Sequence, residues 1–192
     1  MSRARERKFC AGSGGVREME SFAVYDLAAG GGGLGLCAVP GGAGDYAGDL
    51  ALLRRWRPDL VLSMTEPVEL AMAGAAGLAA DLRALGIGWR SLPIRDFAAP
   101  DPTAEAQWPA ISEVAGKLLA RGGRMLVHCR GGCGRSGMAA LRLMVEQGEP
   151  AAHALARLRH VRPCAVETDA QRQWAIAPGD GPGADRGKRS LG

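Results

Sequence analysis

The sequence predicts an α/β fold, a central and mostly parallel sheet flanked by helices. Three observations carry that expectation. Short apolar, β-prone runs at Leu60–Met64, Trp89–Ile94 and Met125–Cys129 alternate with stretches of helical periodicity, the order in which strands cross over through helices. The stretch Arg124–Gly137, RMLVHCRGGCGRSG, passes from β-prone to glycine-rich to amphipathic and reads as strand, tight loop and helix. Two further apolar runs, Phe22–Leu27 and Leu34–Val39, flank Ala28–Gly33 and read as an antiparallel hairpin at a sheet edge.

Each remaining element has its own signal. Asp45–Trp56 places Leu50, Leu53 and Trp56 on one helical face, and Pro58 ends it. After the strand Leu60–Met64, Thr65 or Glu66 starts a short helix carrying Val68, Leu70 and Met72. Ala75–Leu85 is a further helix, closed by Gly86. A proline-bounded loop, Ile94–Pro102, leads into a long helix over Thr103–Arg121, with Trp108, Ile111, Val114 and Leu118 as its apolar stripe and Pro109 marking its first turn or a break. Helices over Gly137–Gln147 and Ala151–Arg159 are separated by Gly148–Pro150, and a last helix covers Thr168–Ala175. The glycine run Gly30–Gly33 lacks the spacing and the following helix of a nucleotide loop.

A chain of 192 residues, 47% of them hydrophobic, is expected to fold as one domain over residues 21–178, with mobile tails at 1–20 and 179–192. Of the net charge of +4, the first tail holds five basic and three acidic residues and the second holds three and two. The body is left at +1, which argues against nucleic-acid binding. Lysine occurs three times against twenty-one arginines and asparagine is absent, a usage that suggests a GC-rich, bacterial genome. Five cysteines without a secretory segment point to reduced thiols in a cytoplasm. The longest apolar run, Leu70–Ala80, is too short to span a bilayer, so no membrane contact is expected, and a monomer is anticipated.

The chemistry centres on His128-Cys129-(Arg130 to Gly134)-Arg135-Ser136. A five-residue loop closing onto a helix start turns successive backbone N–H groups inward, and the positive end of the helix dipole faces the same point. Arg130, Gly131, Gly132, Cys133 and Gly134 would therefore cradle a phosphate-sized dianion, with Gly131, Gly132 and Gly134 freeing the backbone to take positive φ. Arg135 can grip phosphoryl oxygens with its planar fork. That surrounding should hold Cys129 as a thiolate, a nucleophile.

These residues resemble the cysteine-dependent protein tyrosine phosphatase superfamily, whose signature is H-C-x5-R-[S/T]. The loop HCRGGCGRSG is most similar to the compact dual-specificity branch, in particular the kinase-associated phosphatase group. The resemblance implies a dual-specificity phosphatase-like fold and hydrolysis of phosphate monoesters on a phosphorylated protein or small phosphorylated substrate, with no cofactor and no metal. It further implies a general acid on the Pro-x-x-Asp-Phe-like loop Pro93–Phe97. Asp96 fills that place and Asp101 is the alternative, the latter also suited to capping the helix at Thr103. Ser136 would stabilise the sulfur as it leaves, and His128 would orient the loop by hydrogen bonds. The segment VETDAQ is similar to a family Glu-Thr-x-x-Gln motif, which makes Gln171 either a positioner of the hydrolytic water or a solvent-facing helix residue.

Arg130 either points to solvent or, turned inward, would favour phosphoinositides and other polyanionic substrates. Cys133 is either a small loop residue or a partner for Cys129 under oxidation. A zinc site from His128, Cys129, Cys133 and Cys164 matches no structural spacing. Sulfur transfer or arsenate reduction would leave the upstream aspartate loop unexplained. The non-enzyme alternative is a phosphate-binding module without turnover.

Overall fold

The computed structural model describes residues 22–177. Both expected tails, 1–20 and 179–192, lie outside the described residues. Five strands, β1 (Tyr25–Ala29), β2 (Gly32–Ala38), β3 (Leu60–Ser63), β4 (Gly88–Ser91) and β5 (Arg124–Cys129), form one sheet in the order β1-β2-β5-β3-β4. Among the described residues only β1 and β2 pair antiparallel, and every other pairing is parallel. Seven helices surround it: α1 (Tyr46–Trp56), α2 (Pro67–Met72), α3 (Leu78–Ala84), α4 (Pro102–Ala120), α5 (Gly134–Glu146), α6 (Ala151–Val161) and α7 (Asp169–Ile176).

The edge hairpin forms, shifted and tighter than its sequence reading. Gly30 and Gly31 alone make the turn, at φ 58° and 97°, and Ala29 pairs with Gly32. Both turn residues need positive φ, which only glycine adopts freely, so the turn contracts to the glycine pair. β4 stops at Ser91, although Leu92 and Ile94 still donate backbone hydrogen bonds to Ser63 and Met64 beside it. In α4, Asp101 caps the first turn by accepting from the Ala104 N–H at 2.8 Å, and Pro109 is absorbed inside the helix. Val114 is exposed and Ala115 takes its place on the buried stripe beside Trp108, Ile111 and Leu118.

Each face of the sheet carries its own core. Because side chains alternate along a strand, Met125 and Val127 of β5 meet α4 and α5 on one face. Leu126 meets Leu53, Leu78 and Leu82 of α1 and α3 on the other. Central β5 is thus buried on both faces, as parallel strands require. Its C-terminal end emerges between those of β2 and β3, with Ala38 in register with Cys129 and Ser63 with His128. Such a point, outside the carboxyl ends of parallel strands where the order reverses, is where this architecture leaves a crevice.

Candidate active site

β5 ends at Cys129, the chain runs through Arg130–Cys133, and α5 opens at Gly134, three residues earlier than its sequence reading. Of the three glycines expected to need positive φ, only Gly132 adopts it, at 68°. A Cβ there would lie 2.5 Å from the Cys37 carbonyl carbon. Gly134 is glycine for a different reason, since a Cβ would sit 2.2 Å from Glu167 Oε2 and 2.9 Å from the Gln171 amide. Gly131 meets neither constraint.

Cys129 is 3% exposed, and its Sγ lies 3.3 Å from Ser136 Oγ on the first turn of α5. Cys37, on the neighbouring strand, is also buried. Burial, the Cys129 charge and Asp49 push its thiol well above the ordinary cysteine range, which leaves it a protonated neighbour rather than a second nucleophile.

His128 lies on the opposite face of β5, completely buried. Its Nε2 is 2.6 Å from Ser63 Oγ, and the Trp89 indole N–H donates to the same oxygen at 2.8 Å. The indole proton occupies one lone pair of the serine oxygen, and the direction of the Ser63–His128 bond follows the ring's tautomer. Burial, reinforced by the Arg135 charge, pushes the imidazole down to about 4 and keeps it neutral. His128 was expected to orient the loop by hydrogen bonds; the bonds of its ring run to Ser63, and through it to Trp89, neither of which the sequence singles out.

Arg135 is 1% exposed, and its terminal fork is already engaged. Nη1 donates to Glu69 Oε2 at 2.6 Å and to the Ile94 carbonyl at 2.8 Å; Nη2 donates to Glu69 Oε1 at 2.8 Å. Nη2 also lies 3.0 Å from Asp96 Oδ1. The hydrogen bond from Arg135 holds the Glu69 carboxyl below its usual range. Nε is buried and has no partner among the described residues. The edge open to a ligand is therefore Nε with the Nη2 hydrogen that Asp96 now shares, a choice of edge that the sequence reading of a gripping planar fork did not specify. Glu69, presented by α2 through a reciprocal Glu66–Glu69 capping box, was missed because its partner is 66 residues away.

Asp96 and Asp101 separate cleanly. Asp96 faces Arg135, whereas Asp101 is occupied as the α4 cap. Phe97 follows Asp96 at φ 59°, a conformation that costs a non-glycine residue energy. Two bonds from the VETDAQ segment secure it: Thr168 Oγ1 donates to the Phe97 carbonyl at 3.2 Å, and Gln171 Nε2 to that of Ala98 at 3.3 Å. Gln171 is fully buried, which corrects the solvent-facing alternative. It sits between the aspartate loop and Gly134 and accepts from the Glu167 N–H.

Arg130 takes the solvent-facing of its two alternatives, and the expectation for Cys133 changes. Arg130 is exposed and lines a cavity of about 580 Å³ beside the loop, with Glu69, Met72 and Arg162 among its other walls. Cys133 is joined to Cys164 by a disulfide, so it neither remains a free loop thiol nor partners Cys129. The expectation of reduced thiols throughout fails for this pair, because linear spacing gave no sign that the α6–α7 connection returns to the loop.

At the end of a parallel strand a buried cysteine beside a serine stands with an arginine that has an open donor edge and a carboxylate across from it, an arrangement chemically able to receive an oxyanion. Residues 60–175 match the family model described as the Swiss Army Knife protein, DSP-PTPase phosphatase domain (PTP-SAK), and the chain belongs to this family, a phosphatase domain of the dual-specificity type. The chain is similar to the crystal structure of kinase associated phosphatase carrying a serine for its catalytic-site cysteine. That match has 24% identity and a TM-score of 0.70, and covers 82% of this chain and 94% of that one. The active form of Tk-PTP matches at 27% identity and TM-score 0.61 over 81% and 94% of the two chains. PTPMT1 in complex with PI(5)P matches at 17% and 0.60 over 74% and 87%. Among the described residues no helix is long and apolar enough to cross a membrane.

Proposed function

We propose that the protein hydrolyses phosphate monoesters, phosphotyrosine foremost and phosphoserine or phosphothreonine with it, through a cysteinyl-phosphate intermediate. The observation that supports this most is Arg135: its buried Nε has no partner among the described residues, its Nη2 lies 3.0 Å from the Asp96 carboxyl, and it is close enough to Cys129 to interact with it electrostatically. The substrate's phosphoryl oxygens take the loop amides and the Nε–Nη2 edge of Arg135, which releases Asp96 from Nη2. Cys129 Sγ then attacks phosphorus. The bond to the leaving oxygen breaks, and protonated Asp96 gives that oxygen its proton. In the second step Asp96 takes a proton from water as the water attacks phosphorus, and the S–P bond breaks. The Ser136 hydroxyl donates to the departing sulfur, and Gln171 holds the aspartate loop in place.

A second reading, hydrolysis of phosphoinositides, is favoured by one observation: exposed Arg130 lines the cavity beside the loop and would meet a second phosphate. The solved neighbour bound to PI(5)P bears the same chemistry on its ligand. Turnover of p-nitrophenyl phosphate in the presence of a chelator, inhibition by vanadate and loss of turnover in Cys129→Ser are the expected results. Oxyanion binding without turnover would make the protein a binding module. Comparing a phosphotyrosine peptide with a short-chain phosphoinositide separates the two substrate readings.

A further inference from the structure

The connection between α6 and α7 touches the phosphate loop from outside at three places. Arg162 is 8% exposed, and it donates from Nη2 to the Gly131 carbonyl at 3.0 Å and from Nε to the Gly132 carbonyl at 3.3 Å. Its guanidinium lies 4.2 Å from the centre of the Tyr25 ring. Two residues on, Cys164 is covalently bonded to Cys133. Two further, the Val166 N–H donates to the Cys133 carbonyl at 3.4 Å, with Val166 itself at φ 65°, an outlier for a β-branched residue.

A trans peptide is planar, with its C=O and its N–H pointing in opposite directions. A carbonyl held outward therefore turns the next residue's amide the other way. Arg162 fixes two consecutive carbonyls, of Gly131 and Gly132, and so fixes the amides of Gly132 and Cys133. The Arg130 carbonyl is held by the Val39 N–H at 3.3 Å and that of Cys133 by Gly137 and Val166, which does the same for the amides of Gly131 and Gly134. Arg162 and Val166 thus hold carbonyls in the middle and at the end of a loop whose glycines otherwise leave its backbone free to turn.

We propose that Arg162–Val166 is a strap that sets the phosphate loop's geometry, with Arg162 as its positioning residue and the Cys133–Cys164 disulfide as a fastening that reduction opens. The proposal rests on the reading of the loop as a phosphoryl site. A dithiol reductant delivers two electrons and two protons to the S–S bond and leaves two thiols. Cys164 is exposed and Cys133 half-buried, so reductant reaches the bond in the folded protein. Oxidation state and oxyanion affinity are thereby coupled.

Calorimetric titration of the full chain with tungstate, a tetrahedral oxyanion, tests this. Arg162→Met keeps an unbranched side chain and removes the guanidinium, with its donors and its place over the Tyr25 ring. It should weaken tungstate about tenfold and lower kcat for p-nitrophenyl phosphate more than it raises KM, by about a hundredfold in kcat/KM. Arg162→Lys should recover part of both. Reduction should weaken tungstate in the wild type and leave Cys164→Ser, already weakened, unchanged. A folded Arg162→Met variant with wild-type affinity overturns the strap. If that variant does not fold, wild-type affinity in Arg162→Lys, in Cys164→Ser and in the reduced protein overturns it equally. A wild type that binds no tungstate overturns the loop's reading as a phosphoryl site, and the strap with it.

Discussion

Replacing Glu69 by glutamine removes one charge and leaves the side chain's shape. In the structure that carboxylate spans both terminal nitrogens of Arg135, at 2.6 and 2.8 Å, with the arginine side chain 1% exposed and the glutamate 11%. Taking one partner from a pair this dry leaves the guanidinium only the more exposed Asp96 as counter-charge, a loss of about 3 kcal/mol, at the low end of the buried range because Asp96 remains and Glu69 keeps some water contact. For a domain of this size that lowers Tm by about 6–12 °C. The effect is pH-dependent, since Arg135 holds the Glu69 carboxyl below its ordinary value. The pair's stabilisation is complete above the ordinary glutamate range and is lost as pH falls through the depressed value, and Glu69→Gln should remove that dependence. Activity should fall as well, by about a hundredfold in kcat/KM, because a freed guanidinium no longer presents its Nε edge in a fixed place. Thermal melts from acid to neutral pH, together with p-nitrophenyl phosphate kinetics, measure both. A Glu69→Gln protein with wild-type Tm and wild-type kcat/KM would refute the idea that Glu69 holds Arg135.

Asp96→Asn should remove the basic limb of the kcat–pH profile, whereas Asp101→Asn should leave both limb and stability nearly unchanged, since asparagine caps a helix as well as aspartate; the reverse outcome would exchange their roles. Gln171→Ala should loosen the aspartate loop by deleting the bond to the Ala98 carbonyl, lowering kcat about tenfold with KM little altered, as kinetics on a fixed substrate would show. His128 ordinarily titrates at 6.5 and is held down to about 4 in the fold. The unfolded chain therefore binds the extra proton between those values. Stability should be complete above the higher and fall by about 3 kcal/mol as pH drops to the lower, a slope absent in His128→Gln and read by urea denaturation.

The fold and the nucleophile's loop were legible because their signals are local. A β-prone run, a glycine-rich turn and an amphipathic stretch are contiguous in RMLVHCRGGCGRSG, while the preference for Asp96 over Asp101 came from the resemblance of Pro93–Phe97 to a family loop. Contacts between distant segments were not legible. Glu69 sits on a helix that buries none of its own residues, so no periodicity marked it, and its importance comes from Arg135, 66 positions later. Ser63 and Trp89 sit on two strands and meet His128 of a third only once the sheet pairs. The Cys133–Cys164 bond spans 31 residues and two whole helices, and nothing in the spacing of the cysteines chose that pairing over others. Where composition was used in place of geometry, to infer thiols in a reducing compartment, it failed at this pair.

The central claim is that a phosphoryl group passes through the sulfur of Cys129. Rapid acid quench of the Asp96→Asn variant during turnover of an aryl phosphate, followed by mass spectrometry of the Cys129 peptide, tests it directly. An aryl oxide leaves without protonation more readily than it is replaced by unactivated water, so a phosphorylated Cys129 should accumulate and be absent from Cys129→Ser. Turnover with no phosphate on that peptide at any quench time, or equal turnover by Cys129→Ser, would contradict the account.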